Sequence, residues 1–363
     1  MNWAFDVRDI PPLKHAEGIY TYQDSLNLDR PDVLAVSPEM QDFVLEYTEH
    51  SNNPRTSLMA LHQAVKSPGI LAMQYDPLGD GVAQEAFERR SANCLSYAHM
   101  FVALAREAGL NARYQWMAVR PEWHRIGERV ALRLHVNVMV KMRDGTEYMV
   151  DIDPLTSHQV AGARIMDDSE ALALHHNNLA MQALADERPE LAWLQLVRGL
   201  EIAPGLSQLW VNLGAIYRYT DQYAEAEQAY LHALEVDKGD RSAMNNLAVL
   251  YELEGRLEEQ AYWLDRMHRY RERNPYYHAN LGEMAMATED WDLAYEHYRT
   301  ARKLQPRDSL LLYNLGLVQH RRGNDKEAER LISLAIERAP FLVDKVKYRA
   351  ELRSIREELA TSL

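Results

Sequence analysis

The hydrophobic and polar positions change period along the chain. From 38 to 66 apolar residues recur at helical spacing, and Ser37-Pro38-Glu39 supplies a capping serine and a proline suited to a first turn. The stretch Tyr75-Asp76-Pro77-Leu78-Gly79-Asp80-Gly81 is rich in turn residues. After it the pattern predicts a helix from Val82 to Arg90, then one from Ser91 to Gly109, with Ser91 as its N-cap, Gly109 as its stop and Cys94 in its first turn. Between 130 and 142 the period falls to two. Leu134, Val136, Val138 and Val140 share one face of a half-buried strand, and His135 and Asn137 share the other. A second strand, Thr146 to Asp153, returns after Asp144-Gly145. A two-residue turn there would put His135 on the opposite face from Asp151 and Asp153. A three-residue loop, Arg143 to Gly145 with Gly145 left-handed, pairs 142 with 146 and brings His135, Asn137, Asp151 and Asp153 to one face; this second register is the one predicted.

The second half repeats. In steps of 34 residues the chain reads Asn178-Leu179-Ala180, Asn212-Leu213-Gly214, Asn246-Leu247-Ala248, Asn280-Leu281-Gly282 and Asn314-Leu315-Gly316. Fourteen residues after each asparagine stand Ala192, Ala226, Gln260, Ala294 and Ala328, and twenty-one after it Gly199, Ala233, Met267, Ala301 and Ala335. Small residues at fixed positions mark where paired helices touch, and Pro204, Pro306 and Pro340 close units. The pattern resembles the tetratricopeptide repeat, a 34-residue helix-turn-helix, with five units over 173–342 and a capping helix over 343–363. The third unit departs most, with Gln260 and Met267 at the small positions, which predicts more open packing there. The resemblance implies a concave face that holds a peptide or protein, with Tyr276, Tyr277 and Arg269 as groove candidates. Tyr217, Tyr230, Tyr251 and Tyr298 are read as packing residues.

Charge and cysteine count narrow the function. Of 363 residues, 40 are basic and 54 acidic, a net charge of −14, and both halves are acidic: 16 basic against 24 acidic up to residue 172, 24 against 30 after it. A chain without a Lys/Arg cluster lacks what phosphate neutralisation requires, which argues against nucleic acid as a partner. No run of 18 apolar residues occurs, so no direct membrane insertion is expected, and nothing at Met1 reads as an export signal. Localisation is therefore expected to be cytoplasmic for the sequence as written, or periplasmic or lipoprotein if a leader has been removed. The single cysteine, Cys94, excludes an intramolecular disulfide and a cysteine-rich zinc site. No metal or cofactor is expected. His124 and the pair His175-His176 have no carboxylate or thiol at ligand spacing, and His99 does not share the face of Cys94 and is read as structural.

Cys94 in the first turn of a helix would sit among unpaired backbone N–H groups at the positive end of the dipole. Both favour thiolate and could hold an oxyanion. His135 facing Asp151 or Asp153 completes a nucleophile, base and orienter. A Cys opening a helix that ends in Ala108-Gly109-Leu110-Asn111-Ala112-Arg113, then His on a strand and Asp at the end of the next, resembles the transglutaminase-like fold, over about 75–154 within a domain of 1–172. Arg89-Arg90-Ser91-Ala92-Asn93-Cys94-Leu95-Ser96 and His135-Val136-Asn137-Val138 resemble motifs of bacterial transglutaminase-like proteins with tetratricopeptide repeats; Ala92 stands where a glycine is frequent, and Asn137 where many members have tryptophan. The resemblance implies an α+β papain/transglutaminase-like domain followed by an all-α solenoid. It implies Cys94 as nucleophile, His135 as base and Asp151 as orienter, with Asp153 the alternative carboxylate and Gln74, Tyr75, Asn93 and Asn137 as oxyanion or site-lining candidates. The expected function is acyl-enzyme chemistry on a peptide or protein amide, hydrolysis ahead of amine transfer, with the repeats recruiting substrate or partner. The alternative is a non-catalytic scaffold whose N-terminal domain is inactive.

Overall fold

The structure is a computed structural model and describes residues 6–16, 18–51, 53–119, 122–123, 130–131, 134–155 and 159–361. They divide into two compact units, one within Met1–Ala118, Leu134–Pro154 and Gly162–Asp265, the other within Val119–Arg133, Leu155–Ala161 and Arg266–Leu363. Among the described residues no helix is long and apolar enough to cross a membrane.

In the first unit a hairpin, β1 (Leu13–His15) and β2 (Gly18–Tyr20), is followed by a short helix α1 (Tyr22–Ser25). The helical stretch after Ser37 is two helices, α2 (Pro38–Thr48) and α3 (Pro54–Lys66), because Asn53-Pro54 caps and starts the second. Next come β3 (Gln74–Tyr75), α4 (Ala83–Arg89), β4 (Ser91–Ala92) and α5 (Cys94–Glu107); β3 and β4 pair in parallel. The strands β5 (Asn111–Val119), β6 (Glu122–Trp123), β7 (Val130–Ala131), β8 (Leu134–Lys141), β9 (Glu147–Val150) and β10 (Val160–Met166) follow in the chain; the main sheet is four-stranded, in the order β10-β5-β8-β9, and among the described residues β6 pairs only with β7, in residues of the second unit. α5 packs against β8, α2 and α4, and its middle is buried all round. Because β8 is internal to the sheet and covered by α5, residues 135–140 are buried on both faces. The half-buried strand expected from alternation is a fully buried one.

Helix pairs follow: α6 (Asp168–Ala185) with α7 (Pro189–Ile202) and α8 (Ser207–Tyr219) with α9 (Tyr223–Val236), then α10 (Arg241–Leu253) packed on α8 and α9; α11 (Leu257–Glu272) contains the division between the two units, at Asp265. In the second unit α12 (Pro275–Ala287) pairs with α13 (Trp291–Leu304) and α14 (Ser309–Arg321) with α15 (Asp325–Arg338), and α16 (Leu342–Thr361) packs on α15. A single step explains the Asn-Leu-Gly signature. A Cβ on Gly214 would lie 2.5 Å from the Tyr230 ring, one on Gly282 2.6 Å from Tyr298, and one on Gly316 2.6 Å from Ile332, each sixteen residues further on. Only glycine lets the second helix of the pair approach this closely. Tyr217, Tyr230, Tyr251 and Tyr298 are all buried.

The N-terminal segment lies on the first helix pairs. β1 packs against α7, the Lys14 N–H donates to Gln222 Oε1 at 2.7 Å, Gln222 Nε2 donates to the Pro12 carbonyl at 3.2 Å, and the Tyr217 hydroxyl donates to the Pro11 carbonyl.

Candidate active site

Cys94 is the first residue of α5, and its N-cap is Asn93 rather than Ser91. Ser91 and Ala92 are taken up in pairing with Gln74 and Tyr75, so the chain turns into the helix only at Asn93, whose Oδ1 accepts the Ser96 N–H at 2.9 Å. The N–H groups of Cys94 and Leu95 belong to the first turn, where no helical acceptor exists.

The thiol is free and half-buried. Burial pushes its pKa up; the N–H of Val136 acts in the opposite direction, the Asp151 charge raises the pKa further, and the N–H groups of Leu95 and Cys94 lower it. This differs from the thiolate expected from position alone. Desolvation outweighs the helix terminus, so another positive charge is needed to ionise the sulfur at neutral pH. Because α5 packs on β8, the sulfur lies close enough to the Val136 backbone and the Asp151 carboxylate for both to act on it.

His135 and Asp151 form a buried pair, Nε2 to Oδ2 at 2.6 Å, with side chains only 5% and 4% exposed. The hairpin explains the pairing. β8 and β9 run with Val138 opposite Val150 and Lys141 opposite Glu147, the Met142 N–H donates to the Thr146 carbonyl at 2.8 Å, and Gly145 has φ +84°. This is the three-residue loop, and Gly145 is the position that needs glycine. Extending the register places Asp151 across from Asn137 and diagonal to His135. Asn137 Nδ2 accordingly donates to Asp151 Oδ2 at 3.2 Å, while the Asp153 N–H donates to Asp151 Oδ1 at 3.1 Å. The carboxylate meeting His135 is thus Asp151, and Asp153 supports it through its backbone. With Asp151 ionised, Nε2–H donates and the lone pair of neutral imidazole lies on Nδ1.

Other sequence candidates fall elsewhere. Gln74 and Tyr75 lie beside Ser91 and Ala92 with both side chains exposed, Tyr75 at 40%. The Asn93 side chain is committed to Ser96 and to Asp80, which accepts from Nδ2 at 3.0 Å; its two amide groups are occupied at the cap, away from an oxyanion role. In the second unit the Tyr276 hydroxyl donates to Asp308 Oδ2 at 3.1 Å, Arg271 lies over the Tyr277 ring at 5.3 Å, and Arg269 is exposed. Both tyrosines are half-buried and already engaged. His124 lies outside the described residues. His99 is buried with Nδ1 at 2.7 Å from the Tyr114 hydroxyl, and His176 Nδ1 is 2.7 Å from Gln195 Oε1.

Two groups near the site were not anticipated. Tyr97, one turn beyond Cys94, is buried with an unpartnered hydroxyl whose pKa is driven up by burial and by the Asp151 charge. Asp80 is the other. A turn-rich stretch flanked by glycines says only that the chain bends, so nothing in the sequence distinguished its carboxylate from a solvated one.

A thiol at the start of a helix that packs on the strand carrying a buried imidazole–carboxylate pair, followed by stacked helix pairs, defines a cysteine-containing α/β domain joined to a helical-repeat array. Residues 41–154 match the family model of the transglutaminase-like superfamily, and residues 207–240 and 280–342 match tetratricopeptide-repeat models. The chain carries a transglutaminase-like core domain followed by tetratricopeptide repeats. A curated relative, tetratricopeptide repeat-containing protein trd-1 of Caenorhabditis elegans, is 26% identical over 218 residues, 58% of this chain and 26% of the relative, so the chain spans about a quarter of that protein's length. Solved structures with likeness include YrrB, a TPR protein with an unusual peptide-binding site (17% identity, 49% of this chain and 92% of YrrB, TM-score 0.26). MamA from Desulfovibrio magneticus RS-1 is another (16% identity, 47% and 96%, TM-score 0.27), as is pilF of Pseudomonas aeruginosa (18% identity, 52% and 86%, TM-score 0.26).

Proposed function

We propose that the transglutaminase-like domain performs cysteine acyl-enzyme chemistry on a peptide or protein amide, with hydrolysis as the outcome, and that the repeats engage the protein partner or substrate. The observation that carries this reading is the buried His135–Asp151 pair at 2.6 Å, its imidazole on β8, the strand against which the Cys94-bearing helix α5 packs. Asp151 fixes the imidazole through Nε2 and leaves Nδ1 for the thiol. The sulfur attacks the carbonyl carbon as its proton passes to Nδ1, and the N–H groups of Cys94 and Leu95 are the nearest donors for the oxyanion. Collapse breaks the C–N bond, the leaving amine takes the proton from His135, and a thioester remains. Water, the acceptor that needs no binding site, loses its proton to the same imidazole, releases the acid and restores the thiol. An amine in its place gives transfer.

Iodoacetamide tests the reading, since Cys94 is the only thiol. Labelling should persist near about pH 6, where an imidazolium holds the thiolate, and should collapse in His135→Ala and fall in Asp151→Asn. One observation favours the scaffold alternative, the upward push of burial on the thiol. Labelling that rises only at or above an ordinary thiol pKa of about 8.5 and ignores His135 would make the domain an inactive scaffold.

A further inference from the structure

The turn before the reactive helix is tied to the first repeat helix through one carboxylate. Asp80 Oδ1 accepts from Asn93 Nδ2 at 3.0 Å, from Asn178 Nδ2 at 3.0 Å and from Ser96 Oγ at 3.4 Å, and Asp80 Oδ2 lies 3.7 Å from His175 Nδ1. Asn93 and Ser96 form the cap of α5, Asn178 and His175 share a face of α6, and all belong to one compact unit. The backbone repeats the connection: the Asn93 N–H donates to the Gly79 carbonyl at 3.0 Å, Arg89 Nη2 donates to the same oxygen at 2.9 Å, and the Gly81 N–H donates to Ser96 Oγ at 2.9 Å.

These contacts determine the orientation of the Asn93 amide. Its oxygen must face the Ser96 N–H to cap the helix, and its nitrogen must then face an acceptor, which Asp80 supplies. We propose that Asp80 is a positioning residue for Cys94: it locks the Asn93 amide, and through it the first turn of α5, against Asn178 of α6, making the first repeat helix part of the reactive site. The proposal rests on Cys94 acting as the nucleophile. It also assigns the first repeat a partner within the chain. Asn178 opens the series that recurs as Asn212, Asn246, Asn280 and Asn314, and its amide is engaged by Asp80.

The test uses the full chain and two readouts: the iodoacetamide rate at Cys94 from about pH 6 to about pH 9, and amide hydrogen exchange over residues 93–97. The variants are Asp80→Asn, Asn178→Ala and the exchange D80N/N178D, in which a carboxylate at 178 meets an amide at 80. Each single variant should speed exchange at the Ser96 amide about fivefold, the factor that one N-cap hydrogen bond is worth, and should displace the pH profile of alkylation. The exchange variant should restore both. If Asp80→Asn fails to fold, Asn178→Ala, which removes one donor and leaves the carboxylate, decides the matter. Single variants that leave exchange at 93–97 unchanged would overturn the proposal, as would an exchange variant worse than either single one. Alkylation that ignores His135→Ala overturns the catalytic reading alone, because hydrogen exchange at the cap does not depend on His135.

Discussion

The second and third repeats are built on one plan and sealed in different ways. In the second, Gly214 on α8 accepts the ring of Tyr230 on α9, and Ala226 and Ala233 let the helices close; all four residues are buried. In the third, the same step of sixteen residues runs from Ala248 to Leu264, which is 47% exposed, and Gln260 and Met267 stand where the second unit has alanines. The period is unchanged, yet the knob has left the hole. The boundary between the two compact units falls at Asp265, within α11 of this same repeat. A 34-residue repeat therefore specifies where helices begin and end, while the residues at the small positions decide how tightly each pair shuts.

The largest expected effect comes from emptying the well-made seal. Tyr230→Ala removes a fully buried ring from a pocket whose floor is glycine, and should destabilise the first compact unit by about 3–5 kcal/mol. Denaturant midpoints with the slope held constant measure it, and a loss under about 1 kcal/mol would mean that the ring is not the seal it looks to be. Gly214→Ala probes the same contact from the other side, since the new methyl would meet the ring at 2.5 Å, and should cost about 1–3 kcal/mol.

The first repeat offers a third kind of seal, made of imidazoles. His99 on α5 and His175 and His176 on α6 are buried, with His99 and His175 rings 5.7 Å apart, and burial depresses all three pKa values. Asp80 and Glu85 pull His175 the other way without overcoming desolvation; His175 pushes His99 further down, and at His176 the hydrogen bond to Gln195 opposes burial while His175, Arg198 and Arg30 add to it. The sign follows: the folded state holds these rings neutral, and the unfolded chain binds protons below its ordinary value of 6.5. Stability is therefore fully present above pH 6.5 and falls as pH drops below it, with a slope approaching about 1.4 kcal/mol per pH unit for each ring that titrates only on unfolding. Urea midpoints compared at about pH 7.5 and about pH 5.5 would detect this, and a flat profile would show that the rings are protonated in the fold.

What could be read from the sequence follows from the range of the forces involved. The repeats were legible because each packing position recurs five times, so Gly214 and Tyr230 are recognisable by comparison with Gly282 and Tyr298. The hairpin register was legible because Gly145 and the alternation of β8 are local. Asn93 as cap was not, since Ser91 is equally good at capping and loses the role only because Gln74 and Tyr75 recruit it into a strand. The upward push on the Cys94 thiol was hidden for a similar reason: a helix terminus is visible in one segment, whereas burial and the Asp151 charge exist only once the chain has folded. Asp80 draws on residues 93, 96, 175 and 178, and no spacing announces such a cluster.

The smallest expected effect is the one that separates plan from packing. If the third repeat keeps the helical period but not the seal, Leu264→Ala should cost no more than about 0.5 kcal/mol, the ordinary range for a surface substitution. A Tyr230-sized penalty would instead mean that Leu264 is buried in solution and that the third unit closes like the second. The reverse change sharpens the point. Gln260→Ala together with Met267→Ala gives the third repeat the small residues of its neighbours. Leu264→Ala made in that background should then become several times more costly than in the natural sequence, a coupling that a double-mutant cycle reads directly. Simple additivity between the two changes would show that the openness of this repeat is set elsewhere than at residues 260 and 267.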